Sequence, residues 1–116
     1  MVAMIALLSA PLVARPKALR IHVYGELVPV NLGCSIRLTY RLPIEEMEDF
    51  ESVATEILVE YRLKDGALQT QRYSENWHHH KGNGDSHEVE HRLINFTDCN
   101  QITLTGRIQV LKAECR

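Results

Sequence analysis

Five histidines fall between positions 78 and 91: His78, His79 and His80 run together, and His87 and His91 follow. Neutral imidazole binds zinc and copper, and positions 87 and 91 share a face whether the stretch is strand or helix. No cysteine or carboxylate completes a recognised metal spacing beside them. The chemistry on offer is therefore weak Zn or Cu capture by a histidine-rich polar loop. Such a site empties below the imidazole pKa, about 6.5 in model peptides, because a protonated ring cannot coordinate.

Sulfur is the second reactive element, in Cys34, Cys99 and Cys115. Cys99 with His91 would make a nucleophile and its base, but no third group is fixed to orient the imidazole. The chain carries no Gly-x-Ser-x-Gly elbow, no phosphate-cradling glycine loop and no carboxylate pair in a recognised motif. These residues point to binding or covalent stapling and to no catalytic site. Asn95-Phe96-Thr97 adds an N-glycosylation acceptor at Asn95, which matters only in an exported chain.

The elements that must position these groups read as strands. Leu19, Ile21 and Val23 alternate with Arg20, His22 and Tyr24 until Gly25 and Pro29 interrupt. A cleaner strand follows, with Cys34, Ile36, Leu38, Tyr40 and Leu42 on one face and Pro43 closing it. That period puts Cys34 on the apolar face, where a cysteine serves as a small core side chain. Ile44, Met47, Phe50 and Val53 recur at three-residue steps and predict a short helix or turn. Ile57, Val59, Tyr61 and Leu63 then form a strand that Asp65-Gly66 turns into a two-residue hairpin, with its return from about Leu68 to Tyr73. Asn76 to Ser86, polar and rich in glycine, predicts a loop. Strand character returns from Glu88 to Phe96, broken at Leu93-Ile94, and again through Ile102, Leu104, Ile108 and Val110. Six such runs and at most one short helix predict an all-β fold, an antiparallel β-sandwich of about six to eight strands.

With 116 residues there is room for one domain, and 45% hydrophobic with 24% charged residues is a globular composition. A net charge of −2 and the absence of a broad basic face exclude nucleic acid as a natural partner. Glu45, Glu46, Glu48, Asp49 and Glu51 make one acidic run, read as a solvated loop in preference to a hard-cation site. Residues 1–14, MVAMIALLSAPLVA, carry no charge and are too short to span a bilayer. They fit the apolar part of a secretory signal with Ala14 before the cut, which leaves residues 15–116 as the mature domain.

The order of features resembles the transthyretin-like family of small secreted proteins. Val23, Gly25, Leu27 and Pro29 match the outline of that family's first strand, Glu45 to Glu51 its acidic loop and Asp65-Gly66 its hairpin. Leu93-Ile94-Asn95-Phe96-Thr97-Asp98-Cys99-Asn100 resembles the family's strand end, with Asp98-Cys99-Asn100 intact, and GRIQVLKAECR its closing strand. The sequence departs from the pattern at Thr97, where the family has histidine, in a shorter segment before the closing strand, and in the displaced Cys34.

The resemblance implies a secreted, non-enzymatic β-sandwich that binds a small apolar ligand, a lipid or an extracellular protein. In an oxidising compartment a Cys99–Cys115 bond across this short segment would contribute about 3 kcal/mol, with Cys34 left over or serving as an alternative partner. Relatives of the transthyretin fold that hydrolyse hydroxyisourate end in Tyr-Arg-Gly-Ser, whereas this chain ends Ala113-Glu114-Cys115-Arg116. Two other classes compete: a metal-binding module built on His78 to His91, and an intracellular β-sandwich adaptor without disulfides.

Overall fold

The computed structural model describes residues 17–42, 50–79 and 86–115. The apolar segment 1–14 expected to be a secretory signal, the acidic run through Asp49 and His80 lie outside them. The described chain is nearly all strand, in two antiparallel sheets. In chain order the strands are β1 (Lys17–Ala18), β2 (His22–Val30), β3 (Gly33–Arg41), β4 (Phe50–Leu63), β5 (Leu68–His79), β6 (Ser86–Arg92) and β7 (Ile102–Cys115). One sheet has the order β1-β7-β4-β5 and the other β2-β3-β6. This is the all-β sandwich that the alternation predicts.

The core forms where the two period-2 faces meet. Ile36, Leu38 and Tyr40 of β3 are fully buried, as are Val53 and Ile57 of β4, with Val59 and Tyr61 almost so. The intervening positions of β4, such as Glu56 and Glu60, lie on the outer face. Burying a large aliphatic side chain contributes about 1.5–3 kcal/mol, so these few positions dominate the stability of the sandwich.

Several boundaries differ from expectation, each for a local reason. The β2 strand runs through Gly25 and Pro29 to Val30. It is an edge strand, so a residue without an N–H is tolerated there, and a Cβ at Gly25 would meet Ile36, Ile108 and Leu38 at 3.4–3.5 Å. Of the short helix expected over Ile44 to Val53, the part from Phe50 onward belongs to β4. The β4–β5 hairpin is as expected, but its loop is three residues long: Leu63 N–H donates to the Ala67 carbonyl at 2.8 Å around Lys64-Asp65-Gly66. Gly66 supplies the positive φ of 92°, and Asp65 Oδ1 accepts from Ala67 N–H at 2.9 Å. β5 then continues to His79, six residues beyond the expected end.

The β2–β3 turn holds the one non-glycine residue with positive φ among those described, Leu32 at 57° and 83% exposed. A left-handed conformation costs a side-chain-bearing residue about 1–2 kcal/mol, and Leu32 gains little from burial in return. Leu32→Gly should therefore raise unfolding free energy by about 1 kcal/mol in a urea titration. Arg92 braces the same turn, donating from Nη2 to the carbonyls of Asn31 at 3.0 Å and Leu32 at 3.2 Å.

The disulfide joins Cys34 to Cys99, with Cα atoms 4.9 Å apart, and corrects the expected Cys99–Cys115 pairing. Cys99 sits in a 3-10 turn, Cys99–Gln101, immediately before β7, whereas Cys115 ends β7. At about 3.3 Å per residue a 14-residue strand holds its two ends on the order of 40 Å apart, so those cysteines cannot meet. Cys34 opens β3 beside the turn, where Leu93 N–H donates to the Cys34 carbonyl at 2.9 Å. Asp98 caps the 3-10 turn: its Oδ1 accepts from Asn100 N–H at 2.8 Å, while Gln101 Oε1 accepts from Asp98 N–H at 3.1 Å. Asp98→Ala should cost about 1 kcal/mol of stability, read as a fall in thermal midpoint. Cys115 is buried among Leu19, Leu42, Val53 and Ala113.

Candidate functional site

Where the two sheets end on one side, the edge strands β5 and β6 lie across the interior from each other, and their inward faces are polar and aromatic. Alternation along β5 turns Tyr73, Glu75 and Trp77 inward, opposite Ile57, Thr55 and Val53 of β4. Alternation along β6 turns His87, Val89 and His91 inward, opposite Tyr40, Leu38 and Ile36 of β3. The result is a seam of two histidines and three aromatic rings around one carboxylate.

Glu75 is the centre of that seam, its side chain 19% exposed. Its Oε1 lies 3.4 Å from His87 Nε2 and its Oε2 lies 3.6 Å from His91 Nε2. The second distance is too long for a hydrogen bond, and the buried His91 nitrogen has no other partner among the described residues. Trp77 stacks on the His87 ring with centroids 4.4 Å apart and planes 4° from parallel. Tyr40 tilts against Trp77 at 5.3 Å, and Tyr73 against His91 at 5.0 Å. Trp77 and Tyr40 flank the His87 ring and Tyr73 packs on the His91 ring, which leaves Glu75 as the charged group between the two imidazoles.

The tyrosine hydroxyls are the other polar atoms of the interior. Tyr61 and Tyr73 share a short hydrogen bond. Burial pushes the Tyr61 phenol well above its ordinary pKa, and the bond to Tyr73 adds to the rise. Burial also raises Tyr73, while its bond to Tyr61 pulls the other way. Tyr40 is pushed up to about 12, first by burial and then by the Glu75 charge.

Below His91 the seam opens into a pocket of about 240 Å³, bounded by β5, the end of β6 and the turn after it. Tyr61, Tyr73 and His91 line its inner wall, Gln69 and Gln71 one side, and Ile94 to Phe96 the lip. Ligand sites commonly span about 300–1,000 Å³, so this one suits a single ring or a short apolar chain. Asn95 is exposed on that lip, in a turn where Phe96 N–H donates to the Leu93 carbonyl at 3.3 Å. The expected strand through Phe96 thus ends at Arg92.

The histidine cluster is divided by this arrangement. His87 and His91 share a face, as expected, but His78 points outward from β5, and the side chains of His79 and His80 are outside the described set. Among the described residues, no group of three His, Cys, Asp or Glu side chains is arranged to hold a metal ion. The Cys99 sulfur is committed to the disulfide and supplies no thiolate to His91. Tyr73 falls at the end of the expected return strand, whereas Glu75 and Trp77 escape sequence reasoning because that strand is expected to stop at Tyr73 and Asn76 to Ser86 reads as a loop. The signal that marks them is the alternation Tyr73-Glu75-Trp77, which continues the β5 period past its expected end.

No helix among the described residues is long and apolar enough to cross a membrane. A scan against protein-family models, a search of curated proteins and a search of solved structures each found no match to this chain.

Proposed function

We propose that the chain is a secreted, non-enzymatic binding protein of the transthyretin-like type. In this reading its ligand is a small apolar molecule with one polar group, held in the pocket between β5 and the Leu93–Phe96 turn. The observation that carries it is the pairing of an apolar lip, Ile94 and Phe96, with an inner wall where the buried His91 nitrogen has no hydrogen-bond partner. A ligand hydroxyl or carboxylate within reach of that nitrogen would satisfy it, and orphaned buried polar groups cost about 1–3 kcal/mol. The Cys34–Cys99 bond supports export, since disulfides persist in oxidising compartments, and it weighs against the intracellular adaptor.

Titration of the ¹⁵N-labelled secreted chain with phenol and with benzoate tests the pocket. Amide shifts should cluster at Tyr73, His91 and Ile94 to Phe96, and shifts scattered elsewhere or absent overturn the assignment. Intact mass of the exported product tests the rest: loss of residues 1–14, two hydrogens lost to one disulfide, and added hexosamine mass if Asn95 is glycosylated. A full-length mass with three alkylatable thiols ends the secretion reading.

A second reading, metal capture, draws on the convergence of His87 and His91 upon Glu75. Calorimetric titration with zinc should show binding that disappears in a variant with His78, His79, His80, His87 and His91 replaced. Equal heats from both chains remove this reading.

A further inference from the structure

We infer that one end of the sandwich docks on a lipid bilayer by inserting Leu32 and Ile94, with Leu68 at the interface. The surface shares Ile94 with the pocket lip but needs no ligand in the pocket. Three connections meet at this end: the β2–β3 turn, the β4–β5 hairpin and the crossing from β6 to β7. They meet because Cys34, at the start of β3, bonds Cys99 just before β7, and Leu63, at the end of β4, pairs with Ile102 at the start of β7. Apolar side chains scattered singly over a surface are ordinary. Here they are gathered: of the six large hydrophobic side chains exposed among the described residues, the two most exposed, Ile94 at 90% and Leu32 at 83%, are on turns at this end, and Leu68 stands beside them at the start of β5.

The backbone of Leu32 is a second indication. At φ 57° the position favours glycine, and folding gains little from a leucine held there in water. The strain is accounted for if that side chain is buried in something other than the protein. The polar groups of the turns are a third. Arg92 Nη2 donates to the Asn31 and Leu32 carbonyls, and Arg62 Nη1 donates to the Gly66 carbonyl at 3.3 Å. The Asp65 carboxylate accepts from Ala67 N–H, and Gln101 Oε1 accepts from the N–H groups of Thr97 and Asp98. Backbone groups bonded within the chain enter hydrocarbon at a much lower cost than free ones. Two aliphatic points on separate, internally bonded turns suit a bilayer, which offers no hydrogen bonds, better than a protein groove.

Charge sets the lipid. Arg62, Lys64 and Arg92 stand around this end against Asp65 and Asp98, whose carboxylates are turned to the N–H groups of Ala67 and Asn100. Three cations against two carboxylates leave a surplus of one. Anionic lipid should therefore strengthen docking moderately, by roughly fivefold, as expected for one basic residue near a charged surface. Asn95 lies between Ile94 and Phe96, so a glycan there would hold the end off the bilayer.

The probes are vesicles of phosphatidylcholine, alone and in an equal mixture with phosphatidylglycerol, sedimented with the full disulfide-bonded chain made without glycosylation. The chain should partition onto both, roughly fivefold better onto the mixture. Leu32→Gly and Ile94→Ser should each weaken partition about tenfold, and the two together about a hundredfold. Leu32→Gly should at the same time stabilise the fold, so its lost binding is not lost structure. Leu32 does not line the pocket, and the phenol and benzoate shifts should persist in that chain, which separates failure of docking from failure of the pocket. Tyr24→Ser removes an exposed side chain from the outer face of β2 and should leave partition unchanged. In a Leu32→Trp chain, brominated acyl chains should quench the added indole and spare Trp77, which pairs with Val53 toward the far end of β5. Four results overturn the inference: no partition at millimolar lipid, full partition of the Leu32→Gly/Ile94→Ser chain, equal loss in Tyr24→Ser, or equal quenching of both indoles.

Discussion

Replacing Cys34 and Cys99 together with alanine should lower the unfolding free energy by about 4 kcal/mol, the chain-entropy value for a loop closed across 65 residues. For a domain of this size that corresponds to a fall in thermal midpoint of roughly 15–20 °C. The effect is large because the bridge ties the start of β3, in one sheet, to the turn that delivers the chain into β7 of the other. Without it the Leu93–Gln101 crossing is held by the capped 3-10 turn, by Leu93 against Cys34 and by whatever Ile102 buries. Stability on the order of 5–15 kcal/mol is typical of a whole domain, so the loss removes a major part of it. Cys115→Ala is the control. That side chain is buried at the end of β7, and its truncation should cost only on the order of 1 kcal/mol through lost packing. Equal destabilisation by the two changes would mean that Cys99 bonds to Cys115 after all. Non-reducing peptide mapping should join the Cys34 peptide to the Cys99 peptide in the unaltered protein.

The contrast between these cysteines shows how far the sequence carries. Period-2 alternation is a local property, so Cys34, Ile36, Leu38 and Tyr40 could be assigned to one buried face without knowing what covers it. The same rule extended β7 through Ile102 to Val110, and the length of that strand already separates Cys99 from Cys115. Pairing by closeness in sequence ignored that extension. The candidate site failed to appear for a different reason. Tyr73, Glu75 and Trp77 alternate as a strand should, but the glycines and histidines that follow outweighed them, and tertiary pairing with β4 carried β5 through to His79. That Glu75 faces two histidines depends on β5 and β6 being edge strands of different sheets, a long-range fact that no window of residues contains. His87 and His91 could be placed on one face from spacing alone, whereas the group they converge on could not.

Above about pH 10 the protein should lose stability steeply, with Tyr40, Tyr61 and Tyr73 as the cause. All three rings are in the core, at 0%, 3% and 8% exposure. In the unfolded chain their phenols ionise near the ordinary value of about 10, while in the fold Tyr40 holds its proton up to about 12 and the other two are raised as well. The unfolded state therefore releases protons first as pH rises. The contribution of each ring is complete below the unfolded pKa and is lost on the way up to the folded one. Each group removes about 1.4 kcal/mol per pH unit in that window, so three together remove about 4 kcal/mol per unit. The urea midpoint should be flat from about pH 8 to 10 and fall sharply beyond. Tyr40→Phe separates the rings. The Tyr40 hydroxyl has the Thr55 side chain near it but makes no hydrogen bond of good geometry among the described residues, so its removal should change little at neutral pH and should shrink the alkaline slope by about a third. Near-ultraviolet absorbance supplies the decisive reading, since the phenolate signal of these three rings should rise only together with loss of the strand circular dichroism. If they titrate near their ordinary pKa while the sheets persist, the interior is open to water and the packing of Tyr61 on Tyr73 does not describe it.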